Sequence, residues 1–206
     1  MSRSLVVALA FLAAAPVAAQ APAGWHERLD RSTSASDPDN TPDVKFASAG
    51  KGFQVTTGPA VVLWKDANTA SGNFTLSGRF RLVKPSGHTN YYGLVFAASK
   101  LTTSEQSYLY FIVAQNGTFT IKHRAGDTET HEIVPRTPHA AIAKPDASGS
   151  STNTLEVRAG ATMVDFVVNG QVVQSLKRSD LSPDGTWGIR VNHQLDVQVD
   201  ELGVKK

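Results

Sequence analysis

Val167-Val168-Asn169-Gly170-Gln171-Val172-Val173 sets two β-branched runs on either side of an Asn-Gly pair. Asn and Gly accept the positive φ angles of a type I′ turn, whose twist matches that of paired strands, so the stretch predicts a tight antiparallel hairpin. Upstream, residues 73–82 alternate. Phe74, Leu76, Gly78, Phe80 and Leu82 share one face, and Thr75, Ser77, Arg79 and Arg81 the other. Period two over that length is a half-buried strand. The same reading predicts strands over 91–97, 108–113, 117–124, 154–159, 163–168, 171–174, 188–192 and 195–204, with Asn116-Gly117 as a second I′-type turn. No stretch of a dozen residues after the N-terminal segment keeps a helical period. Many short strands punctuated by turns predict an all-β fold, an antiparallel two-sheet β-sandwich of the jelly-roll type.

The N-terminus is read separately. Arg3, the apolar run 5–15 and the small residues of Pro16-Val17-Ala18-Ala19 form a secretory signal pattern, with cleavage expected before Gln20. The chain is therefore expected to be secreted or periplasmic, with no membrane attachment after cleavage. Residues 20–52 read as an N-terminal segment whose 31–42 stretch is a polar surface loop, and 53–206 as the sandwich. The Pro/Ala/Lys/Ser/Gly-rich stretch 135–152 reads as a loop inside that one domain, because a separate piece beyond it is too short for a core of its own.

The 206 residues contain no cysteine, and 20 Lys+Arg stand against 18 Asp+Glu. This excludes a disulfide scaffold, a Cys-ligated metal centre and a thiol nucleophile. The basic residues are scattered, so no nucleic-acid partner is expected, and the domain is expected to act as a monomer. Phosphate-loop, dinucleotide and nucleophile-elbow signatures are missing.

The blocks His88-Thr89-Asn90-Tyr91-Tyr92-Gly93-Leu94-Val95-Phe96, Tyr108-Leu109-Tyr110-Phe111-Ile112-Val113, Thr152-Asn153-Thr154-Leu155, Phe166-Val167-Val168-Asn169-Gly170 and Gly188-Ile189-Arg190-Val191-Asn192-His193 resemble the concanavalin A-like lectin/glucanase superfamily. Within it the chain is most similar to secreted bacterial 3-keto-disaccharide hydrolase domain proteins. That resemblance implies a concave sheet whose groove receives carbohydrate or a glycoside. Aromatic rings cover sugar faces and planar polar groups take paired hydroxyls. Tyr108, Tyr110, Tyr91 and Trp187, together with Asn90, Arg79 and Asn192, are therefore the substrate-binding candidates, and Trp64 and Gln198 extend the set. Tyr92 shares a face with Leu94 and Phe96 and is expected in the core.

Two-carboxylate hydrolysis is not expected. The superfamily's paired-acid motif is absent, and Asp196 and Asp200, four residues apart on one strand, stand about 13 Å apart. A 3-keto-glycoside would need only one base and a group polarising the ketone, which His193, His88, Glu105 or His123 with Arg190 could supply. The alternatives are a glycan-binding module without turnover and a structural or interaction sandwich. Arg190 and Asn192 face the same way, and an ion pair of Arg190 with Asp196 or Asp200 is the competing reading. No cofactor is expected. Asp37, Asp39 and Asp43 offer hard oxygens suited to Ca²⁺, but their loop lacks the glycine and terminal glutamate of an EF-hand, and such clusters ordinarily make turns.

Overall fold

The computed structural model describes residues 20–206 apart from Thr33 and Ala35. The expected signal segment lies outside the described residues. In chain order the strands are β1 (His26–Asp30), β2 (Lys45–Ala49), β3 (Gly52–Thr56), β4 (Ala60–Ala70), β5 (Phe74–Lys84), β6 (Tyr91–Ser99), β7 (Ser107–Ala114), β8 (Thr118–Ala125), β9 (Glu129–Pro138), β10 (Ser151–Ala159), β11 (Met163–Val168), β12 (Gln171–Lys177), β13 (Gly185–Val191) and β14 (Asp196–Lys205). They form two seven-stranded sheets, ordered β1-β4-β13-β6-β7-β8-β9 and β12-β11-β10-β5-β14-β3-β2. Every pairing is antiparallel. The only α-helix among the described residues is the single turn α1 (Arg178–Leu181). The expected all-β sandwich is the observed fold.

The second sheet follows period two closely. On β5, Phe74, Leu76, Phe80 and Leu82 are buried between the sheets, and Arg79 and Arg81 are exposed on the outside. Leu76 and Gly78 face Val157 and Leu155 of β10, so the hydrophobic pattern fixes the register. Phe111 packs edge-on against both Phe119 and Phe166, which joins the two sheets through one aromatic cluster.

The first sheet departs from that pattern. Its strands β4, β6 and β7 are buried on both faces, as their continuous apolar runs dictate. Val61, Leu63, Leu94, Phe96, Phe111 and Val113 point into the inter-sheet core. Val62, Trp64, Tyr91, Val95, Tyr108, Tyr110 and Ile112 form a second apolar cluster on the outer face. Reading 91–97 and 108–113 as half-buried strands is therefore corrected: the outer face of this sheet is covered.

Both turns differ in detail. Asn169 and Gly170 have φ of 49° and 81°, the expected type I′ geometry. At Asn116-Gly117 only Gly117 has positive φ, 84°, and its N–H bonds Ala114 O at 3.0 Å. That is a type I turn followed by a left-handed glycine, with Asn116 Oδ1 accepting from the Thr118 N–H and hydroxyl. Residues 20–52 are not outside the sandwich. They supply β1 and β2, which take edge places in the two sheets, so the sandwich begins at His26 and not at Phe53. Strand β9 also went unread, because Pro135, Pro138 and mixed charges suit an edge strand and hide its alternation.

The 139–150 loop is held by one buried side chain. Asn153 is 1% exposed. Its Nδ2 donates to Tyr92 Oη and Ala143 O, and its Oδ1 accepts from Ala143 N and Asn169 Nδ2 at 2.8 and 2.9 Å. Asn169 in turn donates to Ala141 O and accepts from Thr154 N. Asn153→Ala leaves several buried polar groups without partners, each costing about 1–3 kcal/mol. Urea unfolding of this variant is expected to show a loss of about 3 kcal/mol with an unchanged m-value.

Candidate functional site

Strand β13 carries Ile189 and Val191 inward and Arg190 outward, as the alternation requires. Arg190 is 8% exposed, and every arm of its guanidinium is engaged. Nε donates to Asn192 Oδ1 at 2.9 Å, Nη1 to Tyr108 Oη at 2.9 Å and Nη2 to Asp30 Oδ2 at 2.7 Å. Its Cζ lies 5.5 Å from the Tyr110 ring centroid, a cation–π contact. Tyr108 and Tyr110 sit side by side, centroids 5.6 Å apart, beneath this lattice. The partner of Arg190 is thus Asp30 and neither Asp196 nor Asp200. Asp196 accepts from Gln54, and Asp200 stands 3.8 Å from Arg79 on the other sheet.

Asp30 also lies 3.5 Å from Arg124 of β8, and Arg28 of β1 pairs with Asp127 of the β8–β9 turn at 2.6 Å. Strand β1 is at one edge of the sheet and β8 is five strands away. In a flat sheet that separation is about 24 Å, farther than an aspartate and an arginine reach together. The sheet is therefore strongly curled, and its outer face is concave. Arg28 also donates to the carbonyls of Leu101 and Thr103, and Gln106 Nε2 donates to Asp127, which pulls the β6–β7 loop over the same face. These contacts bury the tyrosines.

Burial disfavours the charge on Arg190, and the oxygens of Tyr108, Asp30 and Tyr110 outweigh that, so its pKa is raised. Burial alone would push the Asp30 carboxyl up, but Arg190, by charge and hydrogen bond, and then Arg124 hold it below the ordinary range. Burial lowers the His193 imidazole, which adjoins the lattice, and the charge of Arg190 lowers it further against the opposing pull of Asp39. Its Nδ1 is buried without a hydrogen-bond partner among the described residues. Burial raises the Tyr110 phenol.

The structure gathers Arg190, Asn192, His193, Tyr108, Tyr110 and Tyr91 around the concave face and scatters the other candidates. Tyr91 donates or accepts at Thr118 Oγ1 and carries Arg136 over its ring. Asn90 is buried and braces the β5–β6 loop through Ser86 and His88. His88 is exposed, 3.9 Å from Asp39. Glu105 is an exposed loop residue whose carboxyl is lowered by its bond to Lys100. His123 lies on the opposite face of β8 from Lys122 and Arg124, across from the core residue Leu109. Arg79 is on the outside of the second sheet, and Trp187 packs against the inter-sheet core. These positions correct the reading of Arg79, Trp187 and His123 as lining the concave face. Tyr92 is in the core, bonded to Asn153.

The Asp37, Asp39, Asp43 set does not converge. Asp37 caps the 3-10 turn Pro38–Asn40 by accepting from Asp39 N, and Asp43 pairs with Arg31. Among the described residues no group of three or more metal-ligating side chains is assembled. The sequence reading missed Asp30, Arg28 and Asp127. The one signal for the first two was polar residues at 26, 28 and 30, too short a run to mark a strand.

A cleft of about 790 Å³ lies elsewhere, where Trp25, Phe53, Lys65, Asp200 and Leu202 meet at the β1 and β3 ends of the sandwich. The ring of Trp25 is occupied there, with Lys65 Nζ 5.2 Å from its centroid and Phe53 against its edge. Residues 20–23 form part of the cleft wall. The charged lattice, not this cleft, is where polar chemistry is concentrated.

Against solved structures, the chain superposes on a carbohydrate-binding module of the class CBM66 from Bacillus subtilis with a TM-score of 0.61 and 14% identity, covering 89% of this chain and 96% of that one. The fold is a concanavalin A-like jelly roll. A Bacillus subtilis protein of unknown function with a galectin-like fold matches at TM-score 0.57 and 12% identity over 87% of this chain and 88% of that one. The Emp46p carbohydrate recognition domain matches at TM-score 0.51 and 12% identity, covering 88% of each chain. No family model matches the chain, and no curated protein does.

Two acid-dependent losses of stability follow from the lowered groups. A histidine whose folded pKa is depressed makes the unfolded chain bind more protons, so stability falls as pH drops below the ordinary value near 6.5. Asp30, also depressed, stabilises the fold above about pH 4, and that contribution disappears as pH falls through its folded value. Melting temperatures measured from pH 8 to 3 are expected to flatten in the upper window for His193→Gln and in the lower window for Asp30→Asn. Asp30→Asn should also cost about 2 kcal/mol at neutral pH, below the value for a fully buried pair because the aspartate side chain is 33% exposed.

Proposed function

We propose that this domain binds carbohydrate on the concave face of the first sheet and does not turn it over. The observation that carries the reading is the Arg190 lattice: planar polar groups laid over tyrosine rings at the centre of a curled sheet. Asn192, Arg124 and Asp30 keep part of their surface in solvent, and Lys122 with Glu132 continues the row along β8 and β9 at 3.3 Å. Such a row offers donors and acceptors in pairs at the spacing of strands, which suits the hydroxyls of a sugar chain lying across them. The likeness to sugar-binding sandwiches supports the fold half of this reading and nothing finer.

Turnover by two carboxylates is disfavoured by charge. A general acid needs a raised pKa, whereas Asp30 is held low and Asp127 and Glu132 are each paired with a cation. A second reading rests on His193, whose pKa burial holds below the ordinary histidine value, so that its ring can accept a proton as a neutral imidazole. With a 3-keto-glycoside it would remove the C2 proton. The electron pair would form the C1–C2 double bond and expel the glycosidic oxygen, which takes up a proton, and water would add back at C1. Arg190, its arms already committed, is poorly free to polarise the ketone.

A glycan array probed with the purified protein, followed by affinity electrophoresis on the hits, separates these readings. Binding reduced tenfold or more by Asn192→Ala or Lys122→Ala, and unchanged by Arg79→Ala on the other sheet, is the expected result. Absence of binding to every glycan, or indifference to both concave-face changes, contradicts it. Sugar release from a 3-keto-glycoside that is abolished by His193→Gln would favour the second reading.

A further inference from the structure

His123 and His131 are direct cross-strand partners on β8 and β9. They lie on the face of the sheet opposite the Arg190 lattice, beyond the rim of the inter-sheet core, since Leu109 across from His123 belongs to that core. Their rings are stacked, with centroids 5.7 Å apart and planes at 26°. His123 has a hydrogen-bond partner at Nε2, and His131 has a carboxylate nearby, beyond hydrogen-bond distance. Ser107 Oγ is 2.9 Å from His123 Nε2, and Glu129 Oε2 is 3.7 Å from His131 Nε2. Glu129 precedes His131 by two residues and so shares its side of the strand. Both of these contacts are made at Nε2.

In the tautomer in which His123 Nε2–H donates to Ser107 Oγ, the lone pair of that ring is on Nδ1. A hydroxyl or carboxylate behind one ring nitrogen is the arrangement that orients a metal-bound histidine and strengthens it as a ligand. Two imidazoles on adjacent strands are selective for borderline ions and offer nothing to Ca²⁺ or Mg²⁺, which require oxygen ligands.

We propose that His123 and His131 clip one borderline divalent ion, Zn²⁺ or Cu²⁺, through their Nδ1 atoms, with solvent completing its coordination and Ser107 orienting the His123 ring. No ready-made cage of three or more protein ligands exists among the described residues, so this is an open two-ligand site on an edge strand. An ion there ties β9, the outermost strand of the concave sheet, to β8.

Calorimetric titration of tag-free protein with ZnCl₂ and with CuCl₂ near neutral pH tests this. The expected result is one ion per chain, bound at least tenfold more weakly by His123→Gln and, separately, by His131→Gln, with Ser107→Ala also weakening it about tenfold. His131 is 59% exposed, so its substitution leaves the fold intact, and circular dichroism verifies this. His26→Gln and His139→Gln are expected to leave binding unchanged. No binding of either ion at millimolar concentration, or undiminished binding in either the His123 or the His131 variant, overturns the proposal.

Discussion

A guanidinium carried into the interior has to be surrounded by acceptors, and in this protein that requirement shapes one whole face of the sandwich. Arg190 meets Asn192 from its own strand, Tyr108 from β7 and Asp30 from the edge strand β1. The Asp30 contact demands that β1 swing over the sheet, and Arg124 and Asp127 complete the closure from the far side by pairing with Asp30 and Arg28 of β1. The curl, the burial of Tyr108 and Tyr110 and the ordering of the β6–β7 loop are consequences of the same set of charges. Removing one partner would leave a buried charge uncompensated, which costs more than the pair itself contributes.

The two sheets consequently play different parts. The second is an ordinary half-buried sheet whose outer side carries solvated charges such as Arg79, Arg81, Glu156 and Arg158. The centre of the first, β6, β7 and β4 as far as Trp64, is buried on both sides, and its outer side is covered by polar groups instead of by another sheet. A ligand approaching that side meets a polar rim, not a bare aromatic trough. On the proposed reading, a sugar would be met by hydroxyl contacts along the rim and not by stacking on exposed rings.

How much of this was legible in the sequence depends on the range of the interaction. Local signals read well. The alternation over β5 and the Asn169-Gly170 hairpin gave the fold class, and the Arg190/Asn192 spacing placed both on one face. Continuous runs such as Val61 to Trp64 and Tyr108 to Val113 already said that the first sheet is covered twice, a signal overridden by treating every strand as half-buried. Pairings at long range were not legible. Asp30 is 160 residues from Arg190 and sits in a five-residue strand without apolar alternation, so nothing local marked it. Arg79 and Trp187 were grouped with the concave face by residue type alone, and only the assignment of strands to sheets separates them from it.

The central claim is that Asp30 and Arg190 act as one unit holding the curled face together. A double-mutant cycle on urea unfolding with Asp30→Asn, Arg190→Met and the combined variant measures this directly. A coupling of about 2 kcal/mol, with the double variant less damaged than the sum of the singles, is the predicted result. Additivity within about 0.5 kcal/mol would contradict it.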